Sequence, residues 1–468
     1  MLLGAGAEEY ALTLGIIAAF VGTIFFGIKS RHEILKQLKS AGIKKWHILA
    51  AIIVLALFIG VEALVVKPTQ QLFFDDAIYQ GGAQDLLRMG QAWMCNYGTP
   101  NTCYLGQVFH EPIGTAFNLA MGFALFGITL GTAFNTMFVI SSLAVLMIFF
   151  VALLLFRNPI PALFSELLMA LSPVMLVWAR LTTSDMPSLT YSLIAIFAMI
   201  IFAREKKVRT FAFFAFAAAL LTYMKVDNII FVLLLPVLYL LLDKVGSESV
   251  AKSVSRNVRL FLGNIFNVRF LLVLLAVLLI IGIEGGYVVQ QYISPNNFGY
   301  SGAYVQDSCS TNPNPPFLRA DSTFGIKYFD YNICSNVYFW FDKYKSIGGY
   351  PIMQPALFTI LAIIGIAGAA FWERRVFYAI GGWLATIFLL LTFFYAGSFT
   401  YGVDWRFVLG MIAQVNIFGG YGAYMIVESY KLFRFRSSAN IENRATANRK
   451  TKRPNSTGRE NEREKDKQ

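Results

Sequence analysis

Eleven apolar runs, separated by short polar or charged segments, set the pattern of this chain: about 10–28, 47–66, 134–156, 160–178, 187–203, 210–222, 228–242, 270–289, 352–371, 376–395 and 407–428. An apolar stretch of this kind crosses hydrocarbon as an α-helix, because a helix pairs its own backbone groups where no water can. The pattern predicts an all-α polytopic membrane protein with a bundle of about 11 transmembrane helices. No internal repeat of the kind that marks many secondary transporters is visible.

Lys and Arg choose the side of each connection. The segment 29–45 carries Lys29, Arg31, Lys36, Lys39, Lys44 and Lys45 against Glu33, which makes it cytoplasmic and sets the N-terminus outside. Glu8 and Glu9, with no basic region before the first span, fit an N-out anchor better than a cleaved signal peptide. Residues 67–133 then form a first outer loop. Arg204–Arg209 is the next cytoplasmic landmark. Counting spans back from it leaves both ends of the apolar stretch 112–127 outside. That stretch is predicted to be a juxtamembrane or re-entrant helix roofing a site rather than a span. The same alternation puts Arg180–Asp185, Tyr223–Asp227 and Asp404–Arg406 outside, and makes 290–350 a second large outer loop.

Composition agrees with the pattern: 57% of residues are hydrophobic and 14% charged. The net charge of +12 does not point to nucleic acid, because residues 430–468 hold twelve Lys/Arg against five Asp/Glu. The division expected is a membrane domain over 1–428 and a disordered, basic cytoplasmic tail over 429–468. The four cysteines, Cys95, Cys103, Cys309 and Cys334, all fall in the two outer loops, and the economical pairing is Cys95–Cys103 and Cys309–Cys334.

Candidate chemistry gathers at the outer span ends. Asp75 and Asp76 stand in Phe73–Phe74–Asp75–Asp76–Ala77–Ile78–Tyr79, followed along the chain by His110 and Glu111, Arg180 and Asp185, Lys225 and Asp227, and Asp404 and Arg406. Carboxylates suit a general base or a cation site, and cations at the same membrane surface suit a phosphate. Together they suggest a lipid-phosphate substrate. The plainer readings are solvated loop acids, Asp85 above all, and Arg180 and Lys225 as interfacial anchors.

The order of that motif, His110–Glu111–Pro112, the small-residue helix ending Leu125–Phe126–Gly127, Ala179–Arg180–Leu181–Thr182–Thr183–Ser184–Asp185–Met186–Pro187, and a weaker Trp405–Arg406–Phe407–Val408–Leu409 resembles the GT-C superfamily of integral-membrane glycosyltransferases, in its protein mannosyltransferase and aminoarabinose transferase branch. The resemblance covers about 47–245. It implies transfer, with inversion, of a sugar from a polyprenyl- or dolichyl-phosphate donor to a protein, lipid or glycan acceptor on the outer or lumenal face. It assigns Asp75 as general base and Asp76 as an orienting or cation-binding acid. Lys225, Arg406, Arg180 and His110 become ligands of the donor phosphate. Asp185 falls where some relatives bind a divalent metal such as Mg or Mn, and Glu111, in place of the family's middle proline, adds a candidate ligand. Two rival classes are a transporter or flippase of an amphiphilic substrate, and a scaffold in a glycosylation complex. Acids within spans would favour the transporter, but nearly all acids sit at span ends, with Glu62 and Glu284 the exceptions noted.

Overall fold

The computed structural model describes residues 5–66, 73–90, 112–225, 228–242, 267–293, 304–306, 317–319, 325–338, 340, 354–394 and 408–451. These form sixteen helices in chain order: α1 Ala5–Lys29, α2 Arg31–Ser40, α3 Lys45–Leu64, α4 Phe73–Met89, α5 Gly114–Phe126, α6 Leu130–Phe156, α7 Pro159–Ala170, α8 Pro173–Trp178, α9 Asp185–Glu205, α10 Val208–Thr222, α11 Asn228–Leu242, α12 Val268–Ile293, α13 Phe329–Tyr338, α14 Ala356–Trp372, α15 Arg374–Phe393 and α16 Leu409–Thr451. A short antiparallel ladder, β1 Tyr304–Gln306 on β2 Phe317–Arg319, lies in the second large loop, with Tyr304 opposite Arg319.

Each of the eleven apolar runs is helical. Among the described residues, α1, α3, α6, α9, α12 and α15 are long and apolar enough by themselves to cross a membrane, and the apolar α7, α10, α11 and α14 are shorter. The run 160–178 is not one rod: it divides into α7 and α8 at Leu171–Ser172, because Pro173 opens the second piece and cannot donate to the turn before it. Local signals cut the ends as physics requires. Asn158 caps α7 by accepting from the Ile160 N–H at 3.0 Å, and Thr129 caps α6 by accepting from the Thr132 N–H at 3.0 Å. Arg157 and Lys206 close α6 and α9 in the left-handed region, at φ 50° and 52°.

The helix α9 is the axis of the molecule. It is the most buried of the candidate spans, packed between α6, α10, α11 and α16. At 1.5 Å per residue its 21 residues reach about 30 Å, the thickness of a bilayer core. Asp185 therefore stands at one end of the bundle and Glu205 at the other. At the Glu205 end, α2 is clamped to the α9–α10 turn. Glu33 is fully buried and bonds Lys207 at 2.8 Å and also Arg209, while Glu205 takes Lys36 at 3.0 Å and Gln37 at 2.5 Å. Charge counting assigned the two segments in this clamp to one side independently, and they meet.

Small residues set the closest helix crossing. A Cβ on Gly365 of α14 would collide with the Phe418 carbonyl of α16, and one on Gly422 would collide with the Leu361 carbonyl of α14. Backbones approach this closely only where side chains are absent. The last helix runs on to Thr451, so the start of the tail expected to be disordered is helical. Its sequence there lacks proline and glycine and holds four Arg, three Ala and two Lys between 429 and 451, good helix formers.

Candidate active site

Short hydrogen bonds at the Asp185 end of the bundle draw α3, α4, α5, α6, α9, α10 and the 179–184 segment together. The helix α4, seventeen residues long, carries the acidic pair in its first turn. Asp75 is the third residue of α4, and its side chain lies outside the described part of the structure. Asp76 is fully buried. Its Oδ1 accepts from the Thr182 N–H at 2.8 Å and from the Thr182 hydroxyl at 2.6 Å. Gln80, one turn further on, donates to the Thr182 Oγ1 at 3.0 Å. Thr182, which stands in the sequence motif with no role of its own, thus fastens α4 to the segment leading into α9. Asp85, expected as a solvated loop acid, is half-buried on α4, and burial raises its carboxyl pKa against the opposing pull of Arg88.

Asp185 begins α9, where the helix N-terminus favours a carboxylate. It is 4% exposed and bonds the Lys225 ammonium at 2.8 Å, so two residues forty positions apart form one charged pair. A cavity opens beside them, walled by Phe231 and Leu234 of α11, Trp383, Ile387 and Leu390 of α15, and Leu409 of α16. Asp185 and Lys225 line this cavity themselves, with Ser188, Ser192, Asn228 and Thr386 adding polar groups to a largely apolar wall.

Arg180 does not join that pair. Its Nε lies 3.1 Å from the buried Glu62 carboxylate of α3, its guanidinium donates to the Glu62 carbonyl at 3.4 Å, and it sits over the Phe138 ring at 4.9 Å. Glu62, noted in the sequence only as an acid within a span, is therefore its counter-ion. His110, Glu111 and Arg406 lie outside the described residues, as do Cys95, Cys103 and Cys309. Cys334, on α13, is disulfide-bonded, and its partner falls outside the described residues.

The described side chains do not make a metal site. Among the described residues no three His, Cys, Asp or Glu side chains converge. Asp185 has an ammonium against Oδ1, where a cation would sit. Two further acids, Glu284 on α12 and Glu166 on α7, are buried with no hydrogen-bond partner among the described residues. Glu166 lies inside the run 160–178 and adds a third acid within a span to Glu62 and Glu284.

The stretch 112–127 is the thirteen-residue helix α5, too short to span, with its first turns packed against α4 and α6. The Gly114 N–H donates to the Tyr223 carbonyl at 2.7 Å, which docks α5 on the turn that carries Lys225.

The helical bundle has the fold expected from the resemblance to the GT-C integral-membrane glycosyltransferases. Within it, residues 110–263 match the model of the family described as dolichyl-phosphate-mannose-protein mannosyltransferase. The Archaeoglobus fulgidus oligosaccharyltransferase in its apo form is similar over 85% of this chain and 52% of its own, at TM-score 0.52 and 14% identity. The oligosaccharyltransferase AglB of the same organism, solved with an inhibitory peptide and a dolichol-phosphate, gives the same figures. ArnT from Cupriavidus metallidurans in the apo state matches over 81% of this chain and 59% of its own, at TM-score 0.49 and 17% identity. The chain thus spans little more than half the length of these structures. No curated protein sequence matches it.

Proposed function

We propose that this protein transfers a sugar from a polyprenyl- or dolichyl-phosphate carrier to an acceptor hydroxyl on the extracytoplasmic side of its membrane. The observation that carries the reading is the Lys225–Asp185 pair at 2.8 Å in the wall of a largely apolar slot. An ammonium at the mouth of an apolar groove matches a phosphate on a long isoprenoid chain, and a free nucleotide sugar has no hydrocarbon to fill such a groove. The match to a family described by its dolichyl-phosphate-mannose donor, and the dolichol-phosphate in AglB, support the same donor class.

In the reaction, Asp75 accepts the proton of the acceptor as its heteroatom attacks the anomeric carbon from the face opposite the phosphate. The bond from that carbon to the phosphate oxygen breaks, and configuration inverts. Negative charge grows on the departing phosphate, and Lys225, Arg406 and His110 are assigned to meet it. Asp76, bonded to Thr182, holds the helix that presents Asp75. The sugar acceptor is a protein, lipid or glycan, and the second outer loop contributes to that choice. Replacing Lys225 by Ala tests the donor assignment: the KM for a polyprenyl-phosphate sugar is expected to rise and kcat to fall, and an unchanged pair of constants would refute it.

A second reading, a flippase for an amphiphilic lipid, draws on the buried and unpartnered Glu166 and Glu284. Proteoliposomes loaded with a fluorescent polyprenyl-phosphate analogue separate the two readings. Loss of lipid translocation in Glu284→Gln, with sugar transfer intact, would favour transport.

A further inference from the structure

The turn between α10 and α11 carries Lys225, and beside its own local bonds, Met224 N–H to the Leu221 carbonyl and Asn228 N–H to the Lys225 carbonyl, it is held by groups from other helices. From α5, the Gly114 N–H holds the Tyr223 carbonyl at 2.7 Å. One turn along α5, the Asn118 amide nitrogen reaches the Gly114 carbonyl at 2.8 Å and the Met224 sulfur at 3.4 Å. Asn118 is itself oriented by Tyr191 of α9, whose hydroxyl donates to Asn118 Oδ1 at 2.7 Å. Tyr191 is 8% exposed, Asn118 is 2% exposed, and neither faces the apolar slot. On its far side the turn is anchored by the Tyr223 hydroxyl, which donates to the Ile280 carbonyl of α12 at 3.0 Å. A Cβ at position 114 would run into the Tyr223 carbonyl oxygen. The approach of α5 to the turn is therefore open only to glycine.

The order of these contacts matters. The same helix, α9, supplies Asp185 at its first residue and Tyr191 less than two turns later. Tyr191 acts on Asn118, Asn118 on Met224 and Gly114, and both on the residues immediately before Lys225, which returns to Asp185 at 2.8 Å. The circuit is closed by hydrogen bonds that are buried or part-buried throughout. A loop that merely needed to connect two helices would not recruit two buried polar side chains and a glycine from elsewhere in the fold.

We propose that Tyr191, Asn118 and Gly114 are positioning residues that hold the Lys225 ammonium at the head of the apolar slot. The consequence for chemistry rests on the reading of Lys225 as the ligand of the carrier phosphate, and the positioning itself does not. The test uses the full chain in lipid nanodiscs and the variant Tyr191→Phe, which removes one hydroxyl and keeps the ring. Ser165→Ala serves as control, because it removes a buried hydroxyl at the α7–α16 contact, away from the turn. The first readout is the acetylation rate of Lys225 by a water-soluble acylating reagent, followed by mass spectrometry. Lys225 is 15% exposed, and labelling is expected to rise about fivefold in Tyr191→Phe, the worth of one buried hydrogen bond, and to stay unchanged in Ser165→Ala. The second readout is the dissociation constant for undecaprenyl phosphate, expected to weaken by a similar factor of about five in Tyr191→Phe and to show no further loss when Lys225 is already Ala. Equal Lys225 labelling in the wild type and Tyr191→Phe overturns the inference. Faster labelling with undiminished undecaprenyl phosphate binding upholds the positioning and refutes the phosphate role of Lys225 instead.

Discussion

Two acids that stand side by side in the sequence take different work. Asp76 is fully buried with Oδ1 bonded twice by Thr182, so it ties α4 to the segment before α9. Removing the Thr182 hydroxyl in Thr182→Val should lower stability by about 1–2 kcal/mol, since a buried carboxylate oxygen loses a donor. Thermal unfolding in detergent measures this, and a change within experimental error would show that the bond does not hold the helix. Arg180 is in a comparable position. Because it is the counter-ion of the buried Glu62, Arg180→Ala is expected to destabilise by about 3–5 kcal/mol. The double variant Arg180→Ala/Glu62→Gln should recover much of that loss, and a donor-phosphate ligand with no structural role would show neither effect. The motif made Asp75, Asp76, Asp185 and Lys225 visible in the sequence because each is a charge beside an apolar run. Thr182, Asn118 and Tyr191 were not visible as partners. Their meaning comes from contacts across 106, 106 and 73 positions, which no local pattern encodes.

At the scale of the elements, hydropathy and Lys/Arg counting located the apolar helices but not the polar α2 and α13, because bilayer thickness and charge exclusion act only on segments that meet the hydrocarbon. What they missed has identifiable causes. The break between α7 and α8 hides in a continuous apolar run, and only Ser172–Pro173 betrays it. The thirteen-residue α5 reads as a span by hydropathy alone, and the count of sides corrected it. The clamp of α2 onto the α9–α10 turn makes a pH prediction. Burial alone would raise the Glu33 pKa, but its bonds to Lys207 and Arg209 outweigh that and hold it near about 2, below the ordinary 4.5. A carboxylate depressed in the folded state contributes fully above its unfolded value and loses that contribution as pH falls. The stability advantage of wild type over Glu33→Gln should be constant above about pH 5 and shrink between 4.5 and 2. Melting curves at stepped pH check it, and an advantage that grows on acidification would contradict the ion-pair assignment. The α14–α16 crossing gives a second, independent outcome. Gly365→Val should destabilise by about 1–3 kcal/mol or prevent assembly, because its Cβ would collide with the Phe418 backbone.

Across the whole molecule, α9 organises two ends with different duties. Its first residue belongs to a buried charged pair beside an apolar slot, and its last to an ion-pair clamp. Such a separation suits a catalyst that keeps its chemistry at one membrane face and its anchoring at the other. Acids within the spans, Glu62, Glu166 and Glu284, keep the transport reading distinguishable by experiment, although Glu62 already has a counter-ion in Arg180. The most direct measurement of the central claim is sugar transfer itself. Purified protein in bilayers is given a radiolabelled polyprenyl-phosphate sugar and a mixture of acceptors, and transfer is followed for the wild type and Asp75→Asn. The account predicts label moving from the carrier to an acceptor in the wild type, and a rate lower by about 10²–10⁴-fold in Asp75→Asn, the range for loss of a general base. Transfer undiminished in Asp75→Asn would contradict it.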